Sequence, residues 1–111
     1  MSVIELTDDL AVEVKKWRHD IHRNPELAYE EERTSALVAS VLESIGLEVH
    51  RGIGGTGVIG ILRNGRGTKS IALRADMDAL PLSEDSNLPY KSVVEKKMHA
   101  CGHDGHTAML L

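Results

Sequence analysis

Within eight residues, His99 to His106, the chain gathers three of its six histidines and its only cysteine, together with Asp104 and two glycines. A thiolate and an imidazole are good donors for a borderline-soft divalent ion. A neighbouring carboxylate serves either as a ligand or as the partner of a ligand's second nitrogen. In an extended backbone alternate side chains share a face, so His99, Cys101 and His103 can all point one way. Gly102 and Gly105 let the backbone turn tightly or approach an ion. Metal ligation is read here for Cys101 and His103 before His99, whereas His106 sits where a helix starts, a structural position. The plain alternative stays open, because a lone Cys is commonly a small buried hydrophobe and a single His an ordinary hydrogen-bonded residue. The spacing matches no two-pair zinc-ribbon or finger pattern, and ligands from one loop do not close a four-coordinate site. Further ligands must come from elsewhere.

Two other stretches carry polar chemistry. In Arg74-Ala75-Asp76-Met77-Asp78-Ala79-Leu80-Pro81, two carboxylates follow the apolar run Ser70 to Ala75. A strand running into Asp76 and Asp78 places them at a sheet's carboxyl edge, where open α/β sheets put their ligands, although Asp after a strand is also ordinary turn chemistry. The second stretch, Arg18 to Leu27, holds His19 and His22 on one helix face. Cations are favoured near a helix C-terminus in any case, so a solvated or capping role accounts for both histidines without an ion.

The elements that must position these residues follow from hydrophobic periodicity. Leu10, Val14, Trp17 and Ile21 recur at helical spacing and predict a helix over 8–23, with Thr7 or Asp8 as N-cap and Asn24-Pro25 as its end. A second helix is expected from about Glu30 to Ile45, striped by Thr34, Leu37, Val38, Val41, Leu42 and Ile45 and closed by Gly46. The period then drops to two. Leu47–His50, Thr56–Arg63 and Ser70–Ala75 read as strands, the last two forming an antiparallel hairpin across Asn64-Gly65-Arg66-Gly67. The Gly-rich stretch Gly52 to Gly57 lacks the Lys and following helix of a phosphate loop and reads as a flexible connection. Residues 82–97 are expected to be an exposed loop with one brief strand near Tyr90 to Val94, before a short helix opens at Asp104 or Gly105.

Composition bounds what such a chain can be. With 111 residues it forms at most one modest domain, and a formal net charge of −4 gives no basic footprint for nucleic acid or an anionic membrane. No apolar run reaches the roughly twenty residues that span a bilayer, and the N-terminus lacks the pattern of a signal peptide, so a cytoplasmic setting is expected. One cysteine fits a reducing compartment. With no Phe, one Trp and two Tyr, the core must come from aliphatic residues.

Trp17-Arg18-His19-Asp20-Ile21-His22-Arg23-Asn24-Pro25-Glu26-Leu27, the Arg74 to Pro81 segment and Met98 to Thr107 together resemble the N-terminal part of the M20D metallopeptidases. That group comprises N-acyl-amino-acid amidohydrolases, hippurate hydrolases, auxin-conjugate amidohydrolases and related carboxypeptidases. The resemblance implies an α/β fold: the N-terminal part of a zinc-peptidase-like catalytic domain, two helices followed by a mixed sheet with a β-hairpin, and incomplete. Residues 1–111 would be the first segment of that domain, with its remainder and a lid or dimerisation domain absent. It further implies a metal-dependent amidohydrolase cleaving N-acyl amino acids or short peptides, with two divalent ions (Zn, Mn, Co or Ni) per full-length subunit. The isolated chain would be inactive and could hold no metal, because the catalytic Glu-Glu pair and the remaining ligands lie downstream of Leu111.

By the same resemblance Cys101 is the metal-bridging thiolate and His103 a ligand to one ion. Asp76 matches an aspartate that in sister families orients a histidine two positions earlier. That position is Arg74 here, so Asp76 and Asp78 are given supporting roles behind the ligands. Asp104 and His106 match motif positions without an assigned role. The expected partner is a small N-acyl amino acid or peptide, with no nucleic acid, no membrane and scope for a homo-oligomer. The rival expectation is a non-catalytic metal-binding or subunit-association module, which would leave an apolar surface for a partner to cover.

Overall fold

The computed structural model describes residues 3–111. Helix α1 spans Val3–Arg23, longer at its start than the sequence reading. No Gly or Pro interrupts the chain ahead of Asp8, so Thr7 and Asp8 are interior helical positions and not caps. Its apolar stripe is used unevenly: Ile21 is fully buried, whereas Leu10 is exposed. The helix stops where Asn24 folds back, its backbone N–H on the Ile21 carbonyl at 3.1 Å and its side chain on the Asp20 carbonyl at 2.8 Å. Pro25, buried, completes the stop.

Helix α2 spans Glu32–Ser44 and buries Thr34, Ala39 and Val41. Its first N–H groups have no side-chain cap of their own. Glu26 supplies one from outside the helix, accepting the N–H of Arg33 at 2.8 Å, the N–H of Thr34 at 2.7 Å and the Thr34 hydroxyl at 2.6 Å. Gly46 ends α2 as the sequence suggests: its N–H meets the Glu43 carbonyl and that of Leu47 meets Leu42, both at 3.0 Å.

The chain turns directly into β1 (Glu48–Ile53), which pairs antiparallel with β2 (Gly57–Ile61), Glu48 opposite Ile61 and His50 opposite Ile59. A register shift between Arg51 and Ile53 tightens the turn, and a Cβ at Gly57 would collide with the Ile53 carbonyl oxygen. Only glycine fits there. The hairpin therefore closes across the stretch Gly52 to Gly57, one connection earlier than the sequence reading placed it.

Ser70 to Ala75 is not a strand in this structure, and the expected mixed sheet is a two-stranded antiparallel one among the described residues. Ile71 and Leu73 are 86% and 71% exposed, and with no adjacent ladder to bond to, alternation alone does not hold a strand. The strand expected near Tyr90 to Val94 is likewise absent. There the Ser92 hydroxyl donates to the carbonyls of Val94 and Lys97, and the Val93 N–H bonds to the Arg23 carbonyl at 2.9 Å. Local side-chain bonds of this kind compete with a ladder.

Two isolated bridges dock the segments that matter for the site. Leu27 pairs parallel with Ala79, and Leu80 pairs antiparallel with Met98 through reciprocal bonds of 2.9 and 3.0 Å. Helix α3 (His103–Leu110) then packs on α1 with Thr107 and Ala108 buried. Among the described residues the buried apolar set is small: Ile21, Ala39, Val41, Ala79 and Ala108. A Cα radius of gyration of 15.3 Å exceeds the value of about 13 Å typical of a compact domain this long.

Candidate metal centre

His103 opens α3 directly after Gly102, whose backbone is left-handed at φ 101°, a conformation that costs other residues about 1–2 kcal/mol. This reversal breaks the extended geometry in which His99, Cys101 and His103 would share a face. His99 is buried and Cys101 exposed. The His103 imidazole turns toward the 76–78 segment, where Nδ1 lies 2.9 Å from Asp78 Oδ1 and 3.1 Å from the Asp78 carbonyl oxygen. Both atoms are acceptors, so Nδ1 carries the proton and the Nε2 lone pair is left free. This is the arrangement of a metal-ligating histidine anchored from behind by a carboxylate.

Asp76 and Asp78 therefore do different things. Asp78 orients His103, whereas Asp76 is held by Arg74 at 2.5 Å and stands 4.0 Å from His103 Nε2. Arg74 thus occupies the Asp76 carboxylate. Thr107 fixes the backbone beside it, its hydroxyl donating to the Asp76 carbonyl at 2.9 Å. Neither aspartate sits at a sheet edge, since no ladder reaches them. His106 is exposed, its ring centroid 5.7 Å from that of His103. Among the described residues no group of three or more His, Cys, Asp or Glu side chains is gathered as a set of ligands.

A second polar centre lies behind this loop, and the sequence reading missed it. His22 is not a solvated or capping residue but is 4% exposed at the junction of α1, α3 and the 82–97 loop. Its Nδ1 is 2.8 Å from Asp104 Oδ2 and its Nε2 2.9 Å from Glu84 Oε1, across 82 and 62 residues of sequence. Arg18 Nε also reaches Asp104, at 3.3 Å. Glu84 is buried within a loop expected to be exposed, its carboxylate accepting the Ser86 hydroxyl and the Ser92 N–H. No local pattern signals such a contact, since both partners are distant in sequence. His19, by contrast, stacks on Tyr90 at 3.7 Å between ring centroids.

The electrostatics follow from burial opposed by hydrogen bonds. Burial pushes the Asp104 carboxyl up, but the His22 bond, the Gly105 N–H and the charges of His99 and Arg18 outweigh it and leave it below the ordinary aspartate value. Glu84 behaves alike: burial raises it, and Ser86, Ser92 and His22 bring it below the ordinary glutamate value. Burial lowers the His99 imidazole below the ordinary histidine value, and neither of its ring nitrogens has a hydrogen-bond partner among the described residues. A depressed carboxyl stabilises the fold above its unfolded-state value and loses that contribution as pH falls through the folded value. Stability is accordingly expected to fall on acidification below about pH 4.5, the ordinary glutamate value, and Glu84→Gln to flatten that slope. Urea unfolding followed by circular dichroism across this range is the check, and equal slopes in both proteins would remove Glu84 as the cause.

Residues 72–111 match the model of peptidase family M20/M25/M40. The hippurate hydrolase of Campylobacter jejuni is 57% identical over 111 residues, which is all of this chain and 29% of that protein. Thermostable carboxypeptidase 2 of Saccharolobus solfataricus is 48% identical over 116 aligned residues, covering all of this chain and 30% of its own length. Among solved structures, the YXEP protein of Bacillus subtilis, described as a dinuclear metal binding peptidase from the M20 family, superposes with a TM-score of 0.85. It is 40% identical and covers 90% of this chain and 28% of that one. The chain thus spans less than a third of the length of these relatives. Over that span sequence and backbone agree with these relatives, and the chain is similar to an N-terminal portion of the peptidase family M20 fold.

Proposed function

We propose that these residues form one wall of the active site of a metal-dependent amidohydrolase that cleaves the amide bond of N-acyl amino acids or short peptides. The observation that carries this reading is His103, its Nδ1 committed to Asp78 and its Nε2 free, two positions from the exposed Cys101 thiol. The donor set fits a borderline-soft divalent ion such as zinc, and manganese, cobalt and nickel are within its range. Cys101 and His103 would hold ions, Asp78 would keep the imidazole in the ligating tautomer, and Asp76, paired with Arg74, would contribute charge behind it. Bound ions would polarise the scissile carbonyl and acidify the attacking water. The general base and the remaining ligands are proposed to come from the rest of a longer catalytic domain. The names of the relatives support this substrate class.

A hybrid in which residues 1–111 replace the matching segment of the Campylobacter jejuni hippurate hydrolase tests the reading. Hippurate hydrolysis is expected, lost on chelation and regained with zinc, manganese, cobalt or nickel. A folded hybrid without chelator-sensitive hydrolysis would sink it. The exposed Ile71 and Leu73 favour one rival, an association module without catalysis. That reading predicts self-association of the chain and an inactive hybrid.

A further inference from the structure

The cap of α3 does little to fix the helix. Its N-cap is Gly102, left-handed and without a side-chain cap bond, so the loop can pivot there unless something beyond it holds the first turn. Asp104 is the residue that does. It follows His103 immediately, is 2% exposed, and presents its carboxylate to α1, where His22 Nδ1 and Arg18 Nε meet it at 2.8 and 3.3 Å. Successive helical residues point about 100° apart, so fixing Asp104 against α1 also fixes the rotation of α3 and the direction in which His103 leaves it. That direction leads to Asp78.

We propose that His22 is a positioning residue for His103: through its bond to Asp104 it locks the first turn of α3, and so holds the imidazole against Asp78 with Nε2 free. This inference rests on the reading of His103 as a metal ligand. Glu84 meets the opposite ring nitrogen and makes no hydrogen bond to α3 among the described residues. Its carboxylate, fixed by Ser86 and by the Ser92 N–H at 2.9 Å, holds His22 Nε2 at 2.9 Å and sets the plane of the ring. One imidazole buried between two carboxylates thereby joins α1, the 82–97 loop and α3 directly behind the candidate ligand. Groups that bond a ligating histidine directly are worth roughly 10–100-fold in metal affinity, which sets the upper bound for a residue acting one step behind it.

Two substitutions separate this role from that of a simple staple. The amide nitrogen of Asn stands close to His Nδ1 and that of Gln close to His Nε2, so His22→Asn keeps the bond to Asp104 and His22→Gln keeps the bond to Glu84. Each loses one buried hydrogen bond. Their effects are read in the hybrid hydrolase, where the remaining ligands are present, by the nitrogen resonances of the His103 ring, which report its tautomer, and by titration with Co²⁺ followed by absorption.

The Asn variant is expected to keep the Nδ1-protonated His103 and near-native Co²⁺ affinity. The Gln variant is expected to mix tautomers and lose affinity, by at most about 10–100-fold. Equal behaviour of the two, in tautomer and affinity, would overturn the proposal and leave His22 as a fold contact. If neither the hybrid with His22 nor any variant of it binds Co²⁺, the ligand reading fails, and the tautomer pattern still decides the clamp alone. Should the His22 variants not fold, Asp104→Asn and Glu84→Gln take their place. Only the first is expected to disturb the His103 tautomer, and equal effects would again count against the clamp.

Discussion

A His22→Ala variant is expected to lose about 3–5 kcal/mol of folding stability, the usual cost of removing one partner from a buried charged cluster. Domains are stable by only about 5–15 kcal/mol in total, so the loss would bring the chain close to its unfolding threshold. The cause lies in what remains. Asp104 and Glu84 are 2% and 7% exposed, and truncation would leave both facing a cavity from which their donor has gone. The small apolar core offers little to offset this. Urea unfolding followed by circular dichroism would measure the effect, and a loss below about 1 kcal/mol, ordinary for a surface site, would show that water replaces the imidazole at little cost.

The second large effect concerns catalysis. In the hybrid hydrolase, His103→Ala and Cys101→Ser are each expected to lower kcat/KM by about 10²–10⁴, because losing an ion removes several kcal/mol of transition-state stabilisation. Asp78→Ala should cost less, about 10–100-fold, since it removes the support of the imidazole and not the imidazole itself. Metal content measured beside the kinetics makes the order diagnostic. If Asp78→Ala proved as damaging as His103→Ala with metal retained, Asp78 would be acting on the substrate and not behind the ligand.

The local elements were legible in the sequence because their causes are local. Ile21, Thr34 and Val41 sit on helical stripes, Asn24-Pro25 and Gly46 stop the two long helices, and the Met98 to Thr107 motif announces its chemistry by composition. What failed was pairing between distant segments. Two glycine-bearing turns, near Gly54 and near Gly65, competed for the hairpin, and the outcome depended on which strand could lie on α2 and accept the tight approach at Gly57. The roles of Asp76 and Asp78 were equally invisible, since they differ only in whether Arg74 or His103 reaches each carboxylate. His22 was misjudged for the same reason, its position at the end of a helix explaining its charge but not its burial.

The clamp also dictates an order of events during synthesis. Ribosomes add about 5–20 residues per second, so with 82 residues between them His22 precedes Asp104 by about 4–16 s. Helices form in microseconds or less, so α1 can be in place throughout that interval with its imidazole still in water. The junction can dry only when α3 arrives, and because His103 and Asp104 are neighbours, the candidate ligand and its support are delivered together. Until then a nascent chain presents α1 with the face that will receive α3 uncovered, a surface suited to a holding chaperone, and the site comes into being in one late step.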